Sequence, residues 1–167
     1  FHTMSLLPDG RALVAGGGGN TTQIYDWASG SWTNTGALHD ARNTHTSTLL
    51  PDGKVLIAGG NGSTNVSNTS ETYDPVTGEW LAASVMNTNR VTHTATLLAN
   101  GKVLVVGGYS GNGSYLSSAE LCERISGIWT ATSPMTTDRM YPTATLLANG
   151  KVLVAGGGNS SGHLNNA

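Results

Sequence analysis

One stretch of sequence occurs four times in this chain of 167 residues. It reads HTMSLLPDGRALVAGG from His2, RNTHTSTLLPDGKVLIAGG from Arg42, RVTHTATLLANGKVLVVGG from Arg90 and RMYPTATLLANGKVLVAGG from Arg139. A repeat of roughly 40–50 residues constrains a fold more than any composition, because one unit that short cannot bury its own apolar faces and must stack on its neighbours. The expected product is an array of similar units.

Spacing within the repeat separates its rigid parts from its loops. The glycine pairs are Gly16-Gly17, Gly59-Gly60, Gly107-Gly108 and Gly156-Gly157, and after the first three come QIYDWASGSW, ETYDPVTGEW and ELCERISGIW. Seven residues separate Tyr25, Tyr73 or Cys122 from Trp32, Trp80 or Trp129, and ten separate each Trp from Arg42, Arg90 or Arg139. Seventeen separate each of those arginines from the first glycine of the next pair. Fixed intervals mark paired strands, where one inserted residue turns every side chain to the wrong face. Only the interval from the second glycine to the Tyr or Cys varies (8, 13 and 14 residues), as a loop does.

Each fixed block has strand chemistry. Leu49, Leu50, Val55, Leu56 and Ile57 are apolar or β-branched, and Pro51-Asp52-Gly53 or Ala99-Asn100-Gly101 supplies a hairpin turn between them. HTSTLL and KVLIAGG are thus two antiparallel strands, A and B. The Tyr/Cys block and the Trp block, joined through Ser29-Gly30, Thr77-Gly78 or Ser126-Gly127, make a second hairpin, C and D. Four antiparallel strands per repeat, with few charges on either face, suit a small sheet sandwiched between two like sheets. Such sheets arranged radially form a β-propeller. The expected fold class is all-β, with about fourteen strands and almost no helix: blade 1 over 1–38, blade 2 over 39–86, blade 3 over 87–135, and strands A and B of a fourth over 136–167.

The glycine pair, the Tyr25-Asp26 and Tyr73-Asp74 pairs and the tryptophans resemble kelch repeats. The R-x-x-H-T-[AS]-T-L-L-x-[DN]-G-K pattern is similar to bacterial kelch proteins and to the propeller of galactose-oxidase-like proteins. The pattern departs at Cys122-Glu123, which stands for Tyr-Asp, and at Pro142, which stands for His. The resemblance implies a kelch-type propeller of which this chain is three and a half blades, so that further blades from the same or another chain are expected to close the ring. Galactose-oxidase-like proteins hold copper with Tyr and His and carry a Cys–Tyr crosslink. Tyr25 and Tyr73 are repeat positions here and Cys122 replaces the third, so those roles transfer to no residue.

Charge and apolar runs narrow the partners. A formal charge of −2 with only 8 Lys and Arg argues against a nucleic-acid surface. No apolar run approaches the roughly 20 residues of a membrane span. A single cysteine offers no intrachain disulfide. Abundant Gly, Ser, Thr and Asn with little Lys or Glu suits an extracellular or cell-surface protein.

Candidate sites follow from what repeats and what does not. His2, His45 and His93 hold one repeat position and could ring a central channel as metal or anion ligands. Metal sites need convergence on a point, so the expected role is instead a bond from each imidazole to a backbone group of its own blade. Arg42, Arg90 and Arg139 recur where strand D leads into strand A. They are either channel-rim ligands for carboxylates or sulfates, or ties between blades. Trp32, Trp80 and Trp129 are expected to pack between blades. The variable loops carry all the N-x-S/T sequons, at Asn20, Asn61, Asn65, Asn68, Asn112 and Asn159, which are glycosylation sites if the protein is secreted by a eukaryote. Tyr109 and Tyr115 occur only in the third loop and are the aromatic ligand candidates there. No H-E-x-x-H, phosphate-binding loop or nucleophile elbow is present, and no cofactor is implied.

The expected function is therefore a non-enzymatic interaction scaffold that binds a protein or glycan partner through its loops. The alternative is part of the propeller of a galactose-oxidase-like or other carbohydrate-active enzyme whose catalytic residues lie outside this segment.

Overall fold

The structure, a computed structural model, describes residues 1–123 and 126–167. Arg124 and Ile125, inside the third Tyr/Cys–Trp block, lie outside the described residues.

The described chain is all-β. Sheet 1 consists of β1 (His2–Leu6), β2 (Ala12–Gly16), β3 (Thr22–Asp26) and β4 (Ser31–Asn34). Sheet 2 consists of β5 (Thr46–Leu49), β6 (Val55–Ala58), β7 (Ser70–Asp74) and β8 (Glu79–Ala82). Sheet 3 consists of β9 (Thr94–Leu97), β10 (Val103–Val106), β11 (Ala119–Cys122) and β12 (Trp129–Thr132). A two-stranded sheet follows, β13 (Thr143–Leu146) with β14 (Val152–Ala155). The three larger sheets are antiparallel meanders in chain order. A short pair that the sequence did not announce, β15 (Gly158–Asn159) with β16 (Gly162–His163), lies within the last polar loop.

The hairpins between first and second strands form as expected, through a slightly different turn. Gly10 N–H donates to the Leu7 carbonyl and Leu7 N–H to the Arg11 carbonyl, and Gly10 alone takes positive φ, at 87°. This is a three-residue loop with its glycine in the left-handed region, not a two-residue turn in which Asp9 would share that conformation. The Asp9 carboxylate instead accepts from the Arg11 main-chain N–H. Asp52, Asn100 and Asn149 repeat the device with Lys54, Lys102 and Lys151.

Successive sheets stack with β1, β5, β9 and β13 side by side. One apolar cluster fills the space between sheets 1 and 2, where Leu7, Leu13, Ile24 and Leu38 meet Val55, Ile57, Tyr73 and Trp80. A second fills the space between sheets 2 and 3, where Leu50, Leu56 and Met86 meet Val103, Val105, Cys122 and Trp129. Strand β6 serves both: Val55 and Ile57 face one cluster, Leu56 and Ala58 the other, and all four are buried. Its unbroken apolar run follows from burial on both faces, where alternation has no use.

The tryptophans follow position in the stack. Trp80 and Trp129 are buried, and their Nε1–H groups donate to Thr22 Oγ1 and Ser70 Oγ of the preceding sheet. Trp32 occupies the same register against Tyr25 but has no described sheet over its outer face and is 52 % exposed. An indole at this position is buried where another sheet lies against it, as for Trp80 and Trp129.

Candidate functional site

The arginines lie inside the sheets. Arg42 and Arg90 are 0 % exposed and Arg139 is 3 % exposed. The Arg42 guanidinium donates to the carbonyls of Gly59 and Thr69, to Thr69 Oγ1 and, at 2.7 Å, to Glu71 Oε1. Arg90 repeats this with Gly107, Ser118 and Glu120, and Arg139 with Gly156 and Asn166. The reading of Arg42, Arg90 and Arg139 as rim ligands is therefore corrected, because their NH1 and NH2 groups are buried and committed. The guanidinium ties bind each arginine to its own sheet. Contact with the preceding sheet comes from the main chain, where the carbonyls of Arg42, Arg90 and Arg139 accept from Gly17, Gly60 and Gly108 N–H.

Glu71 and Glu120 complete this network, and sequence reasoning did not assign them. Glu71 accepts from the main-chain N–H groups of His39 and Asp40 and lies 2.8 Å from the His39 ring. Burial works against its charged form, but the His39 donors and Arg42 outweigh it and hold the carboxyl below its usual range. Glu120 caps Asn87 and Thr88 in the same way. The signal was available: a Glu two residues before the Tyr/Cys position in the second and third repeats.

The histidines join sheets. His45 Nε2 lies 2.8 Å from Thr3 Oγ1, and His93 Nε2 lies 3.0 Å from Thr46 Oγ1, each across an interface. The expected bond to the residue's own blade is corrected: the partner is a threonine hydroxyl of the preceding sheet. Burial, reinforced by Arg42 and Arg90, pushes His45 down to about 4 and His93 to about 3, so both are neutral at pH 7. His2, on the first strand, is exposed. Among the described residues no three His, Cys, Asp or Glu side chains gather where a metal ion could sit. Burial, with Glu123 nearby, raises the Cys122 thiol to about 11, so it stays protonated.

The sequons divide by geometry. The Asn20 and Asn68 amides donate to the carbonyls of Leu38 and Met86, tying each polar loop to the segment that leads into the next sheet, whereas the Asn159 amide donates to the Asp138 carbonyl in the segment that leads into its own sheet. Asn61, Asn65 and Asn112 are exposed.

Where the polar loops meet those segments, the structure opens a cleft of about 400 Å³. Bridges join Asn43 to Asn61, Val91 to Tyr109 and Met140 to Gly158, so that loop and lead-in segment pair in sheets 2 and 3 and beside the β13–β14 hairpin. The cleft is lined by Thr44, Asn61, Val66, Val91, Thr92, Tyr109, Tyr115, Met140 and Tyr141, none of them charged. Tyr109 and Tyr115, both sequence candidates, meet edge to face with ring centres 5.6 Å apart. Tyr141, 59 % exposed, was missed. Its signal is a departure from the repeat, since it stands where Thr44 and Thr92 stand in the second and third copies.

The backbone beneath the cleft is unusual. Among the described residues, Thr44, Thr92 and Tyr141 are the non-glycine residues of positive φ, at 50°, 57° and 52°. Their N–H groups donate in turn to the carbonyls of Phe1, Thr44 and Thr92, a staircase of hydrogen bonds from sheet to sheet. A β-branched residue rarely adopts this conformation, and strain of this kind persists where surrounding structure holds it.

No protein-family model matches the chain, and no curated protein matches it. Among the described residues no helix is long and apolar enough to cross a membrane.

Proposed function

We propose that the chain is a kelch-type β-propeller segment acting as a non-enzymatic interaction module, with its partner seated on the loop face at the cleft of Tyr109, Tyr115 and Tyr141. The radial reading draws support from like sheets stacked with their first strands adjacent. Further blades from the same or another chain complete the ring in this reading, and an extracellular or cell-surface address fits the polar loops.

One observation carries the functional reading. The chain has five tyrosines, and two of them, Tyr25 and Tyr73, belong to the repeated Tyr–Trp pairs. The other three converge on one cleft. The repeat does not require aromatics there, since Thr, Asn, Gly and Val fill the equivalent positions. Half-buried tyrosines give a large, rigid contact area at low entropic cost, with a hydroxyl for orientation.

The test is a panel of immobilised peptides and glycans probed with wild type and with Tyr109→Ala, Tyr115→Ala and Tyr141→Ala. The expected result is tyrosine-dependent binding, with the variants keeping the wild-type urea midpoint. Binding that ignores all three substitutions sinks the reading. Stoichiometric copper together with alcohol-oxidase turnover would favour the carbohydrate-active enzyme instead.

A further inference from the structure

The chemistry of this cleft selects among partner classes. It holds no Lys, Arg, His, Asp or Glu, and the nearest recurring cations, Arg42, Arg90 and Arg139, are buried with their NH1 and NH2 groups committed. An acidic, phosphorylated or sulfated ligand therefore gains no counter-charge, and burying its anion unpaired would be costly. A basic ligand likewise finds no carboxylate in the lining. The uncharged lining therefore favours an uncharged ligand.

Its polar pattern is mixed. Asn61 offers an amide donor and a carbonyl acceptor, and Thr44, Thr92 and the three tyrosines offer hydroxyls that both donate and accept. Among the described residues Thr92 Oγ1 is buried without a protein partner. Thr44 already uses its hydroxyl on Asn43. A proline-rich peptide presents mostly carbonyl acceptors and would answer only the donors. A saccharide ring answers both, because every hydroxyl donates and accepts, while its C–H face is apolar and lies against an aromatic ring.

Shape agrees with this chemistry. Tyr109 and Tyr115 stand at 66° to one another, so one ring presents its face where the other presents its edge. Tyr141, on the strained turn of the last lead-in segment, adds an exposed ring to the same lining. The volume of about 400 Å³ falls in the range of small-ligand sites. The hydrogen-bonded staircase fixes Thr92 and Tyr141 to one another through the Tyr141 N–H and Thr92 carbonyl, 2.9 Å apart. The site is thus held in place before a ligand arrives, which lowers the entropic cost of binding.

From this we infer that the cleft is a subsite for a neutral saccharide, stacked on Tyr109 and Tyr141 and hydrogen-bonded by the exposed Asn61 amide. The inference rests on the proposed binding role of the same cleft and names its ligand class. Titration calorimetry with neutral oligosaccharides built on glucose, galactose, mannose or N-acetylglucosamine, with a proline-rich peptide and with a sulfated glycan, tests it. At least one neutral oligosaccharide should bind, with an affinity unchanged from low to high salt. Tyr141→Ala and Tyr109→Ala should each weaken it about tenfold, the scale of one lost aromatic contact. Tyr141→Phe should retain most of it, which separates stacking from hydroxyl donation, and Asn61→Ala should weaken it without lowering the urea midpoint. If only the peptide binds through the tyrosines, the saccharide assignment falls and the binding role stands. If the sulfated glycan binds and salt abolishes it, the neutral assignment falls. If no probe binds, or if binding ignores the tyrosines, both fall.

Discussion

At the scale of single residues, the fold depends on groups that are buried and polar at once. The first glycine of the first three pairs shows why. A Cβ at Gly59 would stand 2.5 Å from the Arg90 carbonyl, and one at Gly107 would stand 2.6 Å from that of Arg139. Both glycines also hold positive φ, at 63° and 70°. The second glycine then donates to that same carbonyl, so the pair and the next arginine form one joint. The histidines beside these joints make the molecule acid-sensitive. His45 and His93 ionise near 6.5 when unfolded, but only near 4 and 3 when buried. Between those values the unfolded chain binds protons that the folded one refuses, so stability is full above about pH 6.5 and falls as the pH drops. Wild type should lose a few kcal/mol between about pH 7 and about pH 4.5, measured by urea denaturation. The double variant His45→Gln, His93→Gln should lose clearly less over the same interval. Parallel acid limbs for the two proteins would show that the imidazoles do not carry the effect.

At the scale of the strand and the sheet, the indole that closes each interface sets most of the packing energy. Trp80 lies 5.1 Å from Tyr73, centre to centre, and packs into the Leu13–Ile24–Leu38 surface of sheet 1. Trp80→Ala should destabilise by about 3–5 kcal/mol. Trp32→Ala, at the same register on an uncovered face, should cost less than about 1 kcal/mol. Equal urea midpoints for the two variants would contradict the stacked-sheet account. This difference also marks how far the sequence could be read. Strand and turn positions were legible because hairpin chemistry and fixed spacing are local, and all fourteen strands of the repeat form within a residue or two of their motifs. The fate of a given Trp was not, since burial depends on a neighbouring sheet that no local pattern reports. The arginines stayed open between rim ligand and structural tie for a related reason. A charged residue at a strand junction reads as exposed until its counter-charge is found, and Glu71 lies 29 residues from Arg42. Tyr109 and Tyr115 were legible as departures from loop composition. Tyr141 required comparison with Thr44 and Thr92, and its convergence with the other two needed the fold.

At the scale of the whole molecule, the two ends of the stack differ from its middle. On sheet 1 the outer face leaves Met4 61 %, Leu6 66 % and Trp32 52 % exposed, whereas Trp80 and Trp129, the equivalents of Trp32, are buried. At the other end a cleft of about 380 Å³ lies between sheet 3 and β14, lined largely by Leu98, Leu104, Leu121, Met135, Val152 and Val154. Sheet 2 offers Trp129 a comparable apolar surface through Leu50, Leu56 and Met86. In sheets 1 to 3 the second strand pairs on both sides, whereas β14 pairs only with β13. An exposed apolar face and an unpaired strand edge each favour association, and here they occur at opposite ends, a head-to-tail arrangement that does not close on itself as a two-fold contact would. Expressed as residues 1–167, the polypeptide should therefore form oligomers or aggregates whose size grows with concentration. Light scattering over a dilution series measures this, and Leu6→Lys together with Trp32→Lys should reduce it by placing charge on the exposed face of sheet 1. A soluble monomer that unfolds cooperatively at every concentration would mean that the stacked sheets are self-sufficient, and that their uncovered faces tolerate water as the ends of an open solenoid do.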